Sequence, residues 1–365
     1  MTTSIPTAPS QATPSGFIKH LHAFRGFAIL TIVGAHCWAG LILLSGGPTA
    51  SPQLKNMYTV TETLFHGSTL YFALISGLLY SLVLRPKGFS AFYKSKITNV
   101  IMPYALFSVV CTALFWSFYL QQTPPEELDT RFVVVAIKNI FLGKGFFHLW
   151  YIPVLVILFI FTPLLDMLLQ HQRTRWLPIV IAALPLFIAR TEFPDLLSWQ
   201  SALYFMGAYT LGMVLGEHYP RAQNWIANNL VMFAVIAVAA TAVVFHQIYT
   251  EATSIGFFSI KQTAVYAQKL SIAALVLHYL AQREENTSQA LSVLGTHAFS
   301  LYLLHGVFTA VMAGAVILGG NLEPTLLNII IAGLLNFILS ILFSLGISAL
   351  IRRIAGKYSR RIIGA

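Results

Sequence analysis

The chain has 365 residues, 57% of them hydrophobic and only 9% charged, with a mean hydropathy of +0.74. A polypeptide of this length with so little polar surface cannot close into a soluble globule, and its long apolar runs read as membrane spans. The formal net charge of +10 would suit a nucleic-acid binder, but most of the basic residues fall in alternate short loops, which is a topology signal; no nucleic-acid partner is expected.

The chain opens on MTTSIPTAPSQATPSG, rich in Ser, Thr and Pro and without charge. It lacks the basic region of a signal peptide, so residues 1–18 are expected to be a disordered cytoplasmic tail preceding an uncleaved first span. Ten helices of membrane-spanning length then follow, at about 25–45, 63–84, 99–120, 148–169, 175–190, 198–216, 227–247, 261–281, 291–317 and 325–351. The fifth is short and carries Pro178 and Pro185, which neighbouring helices can accommodate. Within the long loop 121–147, FVVVAIKNIFLGKGFF spaces apolar residues between lysines as an amphipathic helix lying on the outer surface does.

Loop charges test the count. With a cytoplasmic N-terminus, that side collects Lys19, Arg25, Arg85, Lys87, Lys94, Lys96, Arg173, Arg175, Arg221, Arg283, Arg352, Arg353, Lys357, Arg360 and Arg361. The other side has Lys55, Arg131, Lys138, Lys144, Arg190 and Lys261. This bias fits an even number of crossings with both termini in the cytoplasm. The expected organisation is therefore all-α: one transmembrane helical bundle over residues 19–355 and a basic cytoplasmic tail over 356–365. Cys37 and Cys111 both fall inside spans without CxxC spacing, so neither a disulfide framework nor a metal site is expected.

Polar residues inside spans carry the functional signal, since an ionised group at a helix centre costs at least about 2.5–3.5 kcal/mol. Arg25 and His36 lie eleven residues apart on one helix, so His36 sits within about 20° of Arg25 around the axis and about 16 Å deeper. Singly, Arg25 reads as an interfacial anchor and His36 as a neutral imidazole bonded to a carbonyl. Sharing one face, they suit an extended ligand with an anionic end and a reactive end, the shape of an acyl-coenzyme A. Lys94 and Lys96, on the same side as Arg25, suit the phosphates of such a ligand or simply follow the positive-inside bias.

The segment LHAFRGFAILTIVGAH resembles the opening motif of the acyltransferase 3 family of bacterial membrane proteins, an Arg and a His separated by ten residues. FALISGLLYSL, FYKSKITNVIMPY, HLWYIPVLVILF and FSLYLLH continue the resemblance in order along nearly the whole chain. It implies a multi-pass protein of the bacterial inner membrane that moves an acyl group, acetyl or succinyl, from acyl-CoA as co-substrate to a hydroxyl of a cell-surface glycan or its lipid-linked precursor. No permanently bound cofactor is implied, and a homodimer or a polysaccharide-biosynthesis complex are the partnerships it allows. Residue by residue it points to Arg25, His36 and His148 as catalytic, and to Ser76, Trp150, Ser300, Tyr302 and His305 as substrate-binding. This chain departs from the pattern at His22, where relatives often carry an acid, and at Lys94 and Lys96, where Arg is common and would bind phosphate bidentately.

The chemistry can be argued from the side chains as well. A glycan hydroxyl needs a base within hydrogen-bond reach to attack a thioester, and a desolvated imidazole, neutral near pH 7, suits that role. His36 is assigned as the base acting directly on the acceptor; a covalent acyl-enzyme on Ser76 or Ser300 is the alternative. His148 is expected at the outer end of its span, beside Trp150 and Tyr151, which either stack on sugar rings or belong to the interfacial aromatic belt. Gly77, Gly207 and Gly212 read as close helix packing. Lys269 lies too deep to snorkel, so either its span begins later or it faces a polar cavity. Asp166 reads as a solvated helix end, and His66, His246, His278 and His297 as structural. Two other function classes fit the composition: a glycan flippase, whose internal repeats are not found, and a catalytically silent scaffold for a polysaccharide synthase, which would not need polar residues deep in the spans.

Overall fold

The computed structural model describes residues 18–192, 195–252, 256–286, 288–318 and 325–364, so the expected N-terminal tail lies outside the described residues apart from Ile18. Helices follow one another as α1 Lys19–Leu44, α2 Pro52–Phe65, α3 Thr69–Leu79, α4 Gly88–Lys96, α5 Met102–Leu114, α6 Trp116–Gln122, α7 Phe132–Leu142, α8 Tyr151–Gln170 and α9 Leu177–Ala183. They continue as α10 Trp199–Glu217, α11 Tyr219–Asn228, α12 Leu230–Tyr249, α13 Ile260–Gln282, α14 Gln289–Thr296, α15 Ala298–Leu318, α16 Leu326–Ala355 and α17 Ser359–Ile363. The expected all-α class holds, with no strand among the described residues, as it must where hydrocarbon offers the backbone no hydrogen bonds. Seven helical stretches among them are long and apolar enough to cross a membrane: Lys19–Leu44, Pro52–Leu114, Tyr151–Gln170, Leu230–Tyr249, Ile260–Gln282, Ala298–Val316 and Leu326–Ile363. The chain is a multi-pass membrane protein.

α1 is the axis of the bundle, packed against α2, α3, α13, α14, α15 and α16. Small residues set the closest crossings. A Cβ on Gly26 would stand 2.2 Å from the Leu291 carbonyl oxygen and one on Gly295 2.2 Å from that of His22, so α1 and α14 touch backbone to backbone beside Arg25. Gly77 and Gly212 do the same for α3 and α10, where added methyl carbons would meet the carbonyls of Tyr209 and Leu74 at 1.9 and 2.1 Å. α12 lies at the other extreme. It buries only Ala237, Ala240 and Val244, and presents Val231, Val235 and Val238 outward, as a helix does when its surroundings are as apolar as its side chains.

The structure departs from the expected boundaries in instructive ways. The loop before the second span contains α2, begun by Ser51, whose hydroxyl accepts from the Leu54 N–H, and by Pro52 at the first helical position. α2 ends at Phe65 and the chain turns at Gly67 (φ +73°) before α3. That ending resolves Lys269. Its ammonium is fully buried and donates to the Leu64 carbonyl at 2.8 Å, satisfying an orphaned acceptor at the negative end of α2. Asp166 is not a solvated end, since Arg85 bridges it at 3.1 Å and also pairs with Glu217. The amphipathic helix expected in the loop 121–147 is α7, with Val135 and Ala136 buried and Val133, Ile137 and Phe141 exposed. Residues 356–364, expected as a tail, include α17, which packs against α5 and buries Ser359 and Ile363.

Candidate functional site

The two ends of α1 face different cavities. Arg25 lines the first, a space of about 780 Å³ also bounded by His22, Asn99, Thr296, Arg352, Lys357, Ser359 and Arg360. The cations come from α1, the end of α16, the segment after it and α17 itself, and no carboxylate among the described residues lines the space. Arg25 forms no ion pair among the described residues, and the position where an acid was absent, His22, bonds Thr296 at 3.0 Å. Lys94 and Lys96 do not line this cavity. Lys94 is exposed, and the Lys96 ammonium sits 4.5 Å from the Phe159 ring centroid.

His36 borders the second cavity, of about 310 Å³, together with Tyr58, Glu62, His66, His148, Trp150, Arg190, Glu192 and Tyr302. Arg25 and His36 thus share a helix face but open onto separate spaces. Around His36 stand two further imidazoles, His305 at 5.3 Å and His148 at 6.4 Å between ring centroids, and those two lie 4.7 Å from each other. His148 Nε2 donates to the Leu303 carbonyl at 3.1 Å and His305 Nδ1 to the Leu301 carbonyl at 2.9 Å. Because a carbonyl can only accept, these bonds fix both neutral tautomers. The remaining ring nitrogens, His148 Nδ1 and His305 Nε2, are buried lone pairs without a hydrogen-bond partner among the described residues. The Tyr302 hydroxyl donates to the His148 carbonyl, holding the loop before α8 against α15. Gly306 makes this approach sterically feasible, since a Cβ there would stand 2.1 Å from His148 Nδ1.

Five of the residues singled out from the sequence therefore meet at one place: His36, His148, Trp150, Tyr302 and His305. Ser300 does not join them; it is bonded to the His297 carbonyl and to Ser348 at 2.9 Å each. Ser76 is half-buried beside the α3–α10 crossing and lines neither cavity.

One part of the cavity wall was not anticipated. Glu62 and His66, one turn apart around the end of α2, bond at 2.8 Å, and Arg190 donates from Nη2 to His66 Nε2 at 2.7 Å. Arg190 Nε donates to Gln262 at 3.3 Å, Gln262 Nε2 to Glu192 at 3.0 Å, and Lys261 pairs with Glu192 at 2.5 Å. Burial opposes ionisation of Glu192, but the hydrogen bond and charge of Lys261 outweigh it and hold the carboxyl below the usual glutamate range. The sequence alone reads His66 as structural and Arg190 as a loop charge. The one local signal was the Glu62–His66 spacing of four, which suits a helix-surface pair.

A multi-pass helical membrane protein with a cationic cavity at one end of its central helix and a histidine-walled one at the other is the class these observations define. The sequence matches the acyltransferase domain of the acyltransferase 3 family over residues 18–352, so the chain belongs to that family and is a membrane acyltransferase. No curated protein and no solved structure matches it.

Proposed function

We propose that the protein is an O-acyltransferase of the bacterial inner membrane, taking an acyl group, acetyl in the first instance, from acyl-CoA on the cytoplasmic side. The acceptor is a hydroxyl of an exported or cell-surface glycan on the other side. Dividing Pro52–Leu114 at Arg85–Lys87, adding Trp199–Glu217 and counting the chain around Leu177–Leu186, which as a helix reaches only about 15 Å, would give ten crossings with both termini cytoplasmic, in line with the charge bias. The cationic cavity is then the donor's entrance. Arg25, Arg352, Lys357 and Arg360 would face the nucleotide phosphates, a role read from the sequence for Arg25, Lys94 and Lys96.

The observation that carries this reading is the cluster of His36, His148 and His305 on the face of α1 that also bears Arg25. Because the two cavities are separate, the donor's arm has to part the packing between them; with the thioester then carried about 16 Å along α1 from Arg25, His36 takes the proton of the acceptor hydroxyl as its oxygen bonds to the acyl carbon. The carbon–sulfur bond breaks, and the thiolate takes up the proton and leaves as free coenzyme A. His148 and His305 hold the base in place, and Trp150 and Tyr302 border the acceptor. Direct transfer is favoured over an acyl-enzyme because Ser300 is committed to His297 and Ser348 and Ser76 lies apart.

Purified protein in nanodiscs should release thiol from acetyl-CoA when an acceptor is present. His36→Ala is expected to abolish transfer while leaving donor binding intact, and Arg25→Ala to raise the KM for acetyl-CoA at least tenfold. Passage of unmodified glycan across the membrane that survives both substitutions would overturn the proposal in favour of a flippase.

A further inference from the structure

Arg190 is a costly residue to place where it is. It is only 8% exposed, and it lines the histidine-walled cavity with its guanidinium 5.6 Å from the Trp150 ring centroid. An arginine can donate hydrogen bonds and never accept them. Its bond to His66 Nε2 therefore makes that nitrogen an acceptor, puts the imidazole proton on Nδ1 and directs it to Glu62. A second restraint comes from Gln262, which receives Nε–H and is itself tied to Glu192. Two of the five N–H donors of Arg190 are thus used to fix the plane of the guanidinium, and the other three bond no group among the described residues.

Charge decides what those donors are for. The two carboxylates of the wall, Glu62 and Glu192, are balanced by Arg190 and Lys261, and His66 is neutral in the tautomer just derived. An anion entering this space would meet no net attraction and two carboxylates. A neutral molecule dense in hydroxyls meets fixed donors and fixed acceptors beside the Trp150 ring that backs the guanidinium, the few convergent polar groups on an aromatic wall that orient a small ligand. The wall also continues outward. A second space of about 400 Å³ shares Tyr58, Glu62, His66 and Glu192 with the first, so a chain of more than one ring can be accommodated.

We propose that Arg190, held by His66 and Gln262 over Trp150, is the acceptor-positioning residue of this protein and selects a neutral, polyhydroxylated sugar ring over an acidic one. The proposal rests on the acceptor side of the function given above, and its test reads binding separately from transfer. Full-length protein in nanodiscs is titrated with methyl β-glucopyranoside and with methyl β-glucuronide, following the change in tryptophan fluorescence that disappears in Trp150→Phe. The neutral glycoside is expected to bind at least tenfold more tightly than the anionic one. Arg190→Lys, which keeps the charge but loses the fork, should weaken it at least fivefold, and so should His66→Gln. The double variant should be no weaker than either single one, because both remove the same orientation. In transfer assays Arg190→Lys should raise the acceptor KM and leave the acetyl-CoA KM unchanged. Equal or tighter binding of the glucuronide, or unchanged binding by both variants, would overturn the proposal. Arg190-dependent binding without any acetyl transfer would sustain it while the acyltransfer reading failed.

Discussion

His148 and His305 each spend their one ring proton on a carbonyl of α15, and each is left with a buried lone pair near His36. Buried polar atoms without partners are rare enough to require an explanation, and on the proposed function the hydroxyls neighbouring the reacting one, which arrive only with the acceptor, would supply it. The arrangement depends on Gly306, because no larger residue leaves room for the His148 ring. Gly306→Ala is expected to displace that ring while Nε2 stays bonded to Leu303, and a misplacement near 1 Å costs about 100-fold in rate. Steady-state transfer should show this loss in kcat with the KM for acetyl-CoA unchanged; full activity would remove His148 from the site. His148 and His305 were legible in the sequence because each sits in a short segment resembling its family counterpart. Glu62, His66 and Arg190 were not, because no local pattern distinguishes a helix-surface pair and a loop cation from ones that meet across a fold.

The helices behind these residues follow from two kinds of sequence signal, one plainly readable and the other masked. Long apolar runs gave α8, α10, α12, α13 and α16 nearly to their ends. The interruptions were harder, since a turn bounded by apolar residues on both sides leaves the hydropathy of a window unchanged. α2 escaped notice although Ser51-Pro52 is a sound start signal, and the break between α14 and α15 falls at His297, whose side chain bonds Ser348. Glycine at a crossing was legible as such. In α3 and α10 the added methyl of Gly77→Ala or Gly212→Ala meets backbone, which cannot yield as a side-chain end does. Overpacking of that kind costs about 1–3 kcal/mol, more than the roughly 1 kcal/mol that alanine returns in helix propensity. Each variant should therefore unfold more readily in a denaturant titration of the purified protein. Gly314→Ala in α15, whose Cβ would meet nothing within 4 Å, is the matched control and should be neutral or stabilising.

At the scale of the whole molecule, the proposed function would place donor and acceptor chemistry about 16 Å apart on one helix. α1 has 26 residues, about 39 Å at 1.5 Å per residue, against a hydrocarbon core of about 30 Å. Arg25 and His36 are two points on that length, and on the proposed function a thioester carried between them would cross roughly half of that core. Such a division of labour requires that the cationic cavity face the cytoplasm and the histidine-walled cavity the other compartment. The charge bias of the loops argues for that orientation, and the chain is well suited to a direct measurement, because Cys37 and Cys111 are both buried and should give little background. Single cysteines replacing Lys55 and Glu251, near the histidine-walled cavity, should react with a membrane-impermeant maleimide in spheroplasts. Cysteines replacing Arg173 and Lys357, at the cationic end, should react only once the membrane is permeabilised. The reverse pattern would put the cations proposed to bind phosphate on the side where no acyl-CoA is made, and labelling of all four positions in sealed spheroplasts would deny that the two cavities are separated by the bilayer at all.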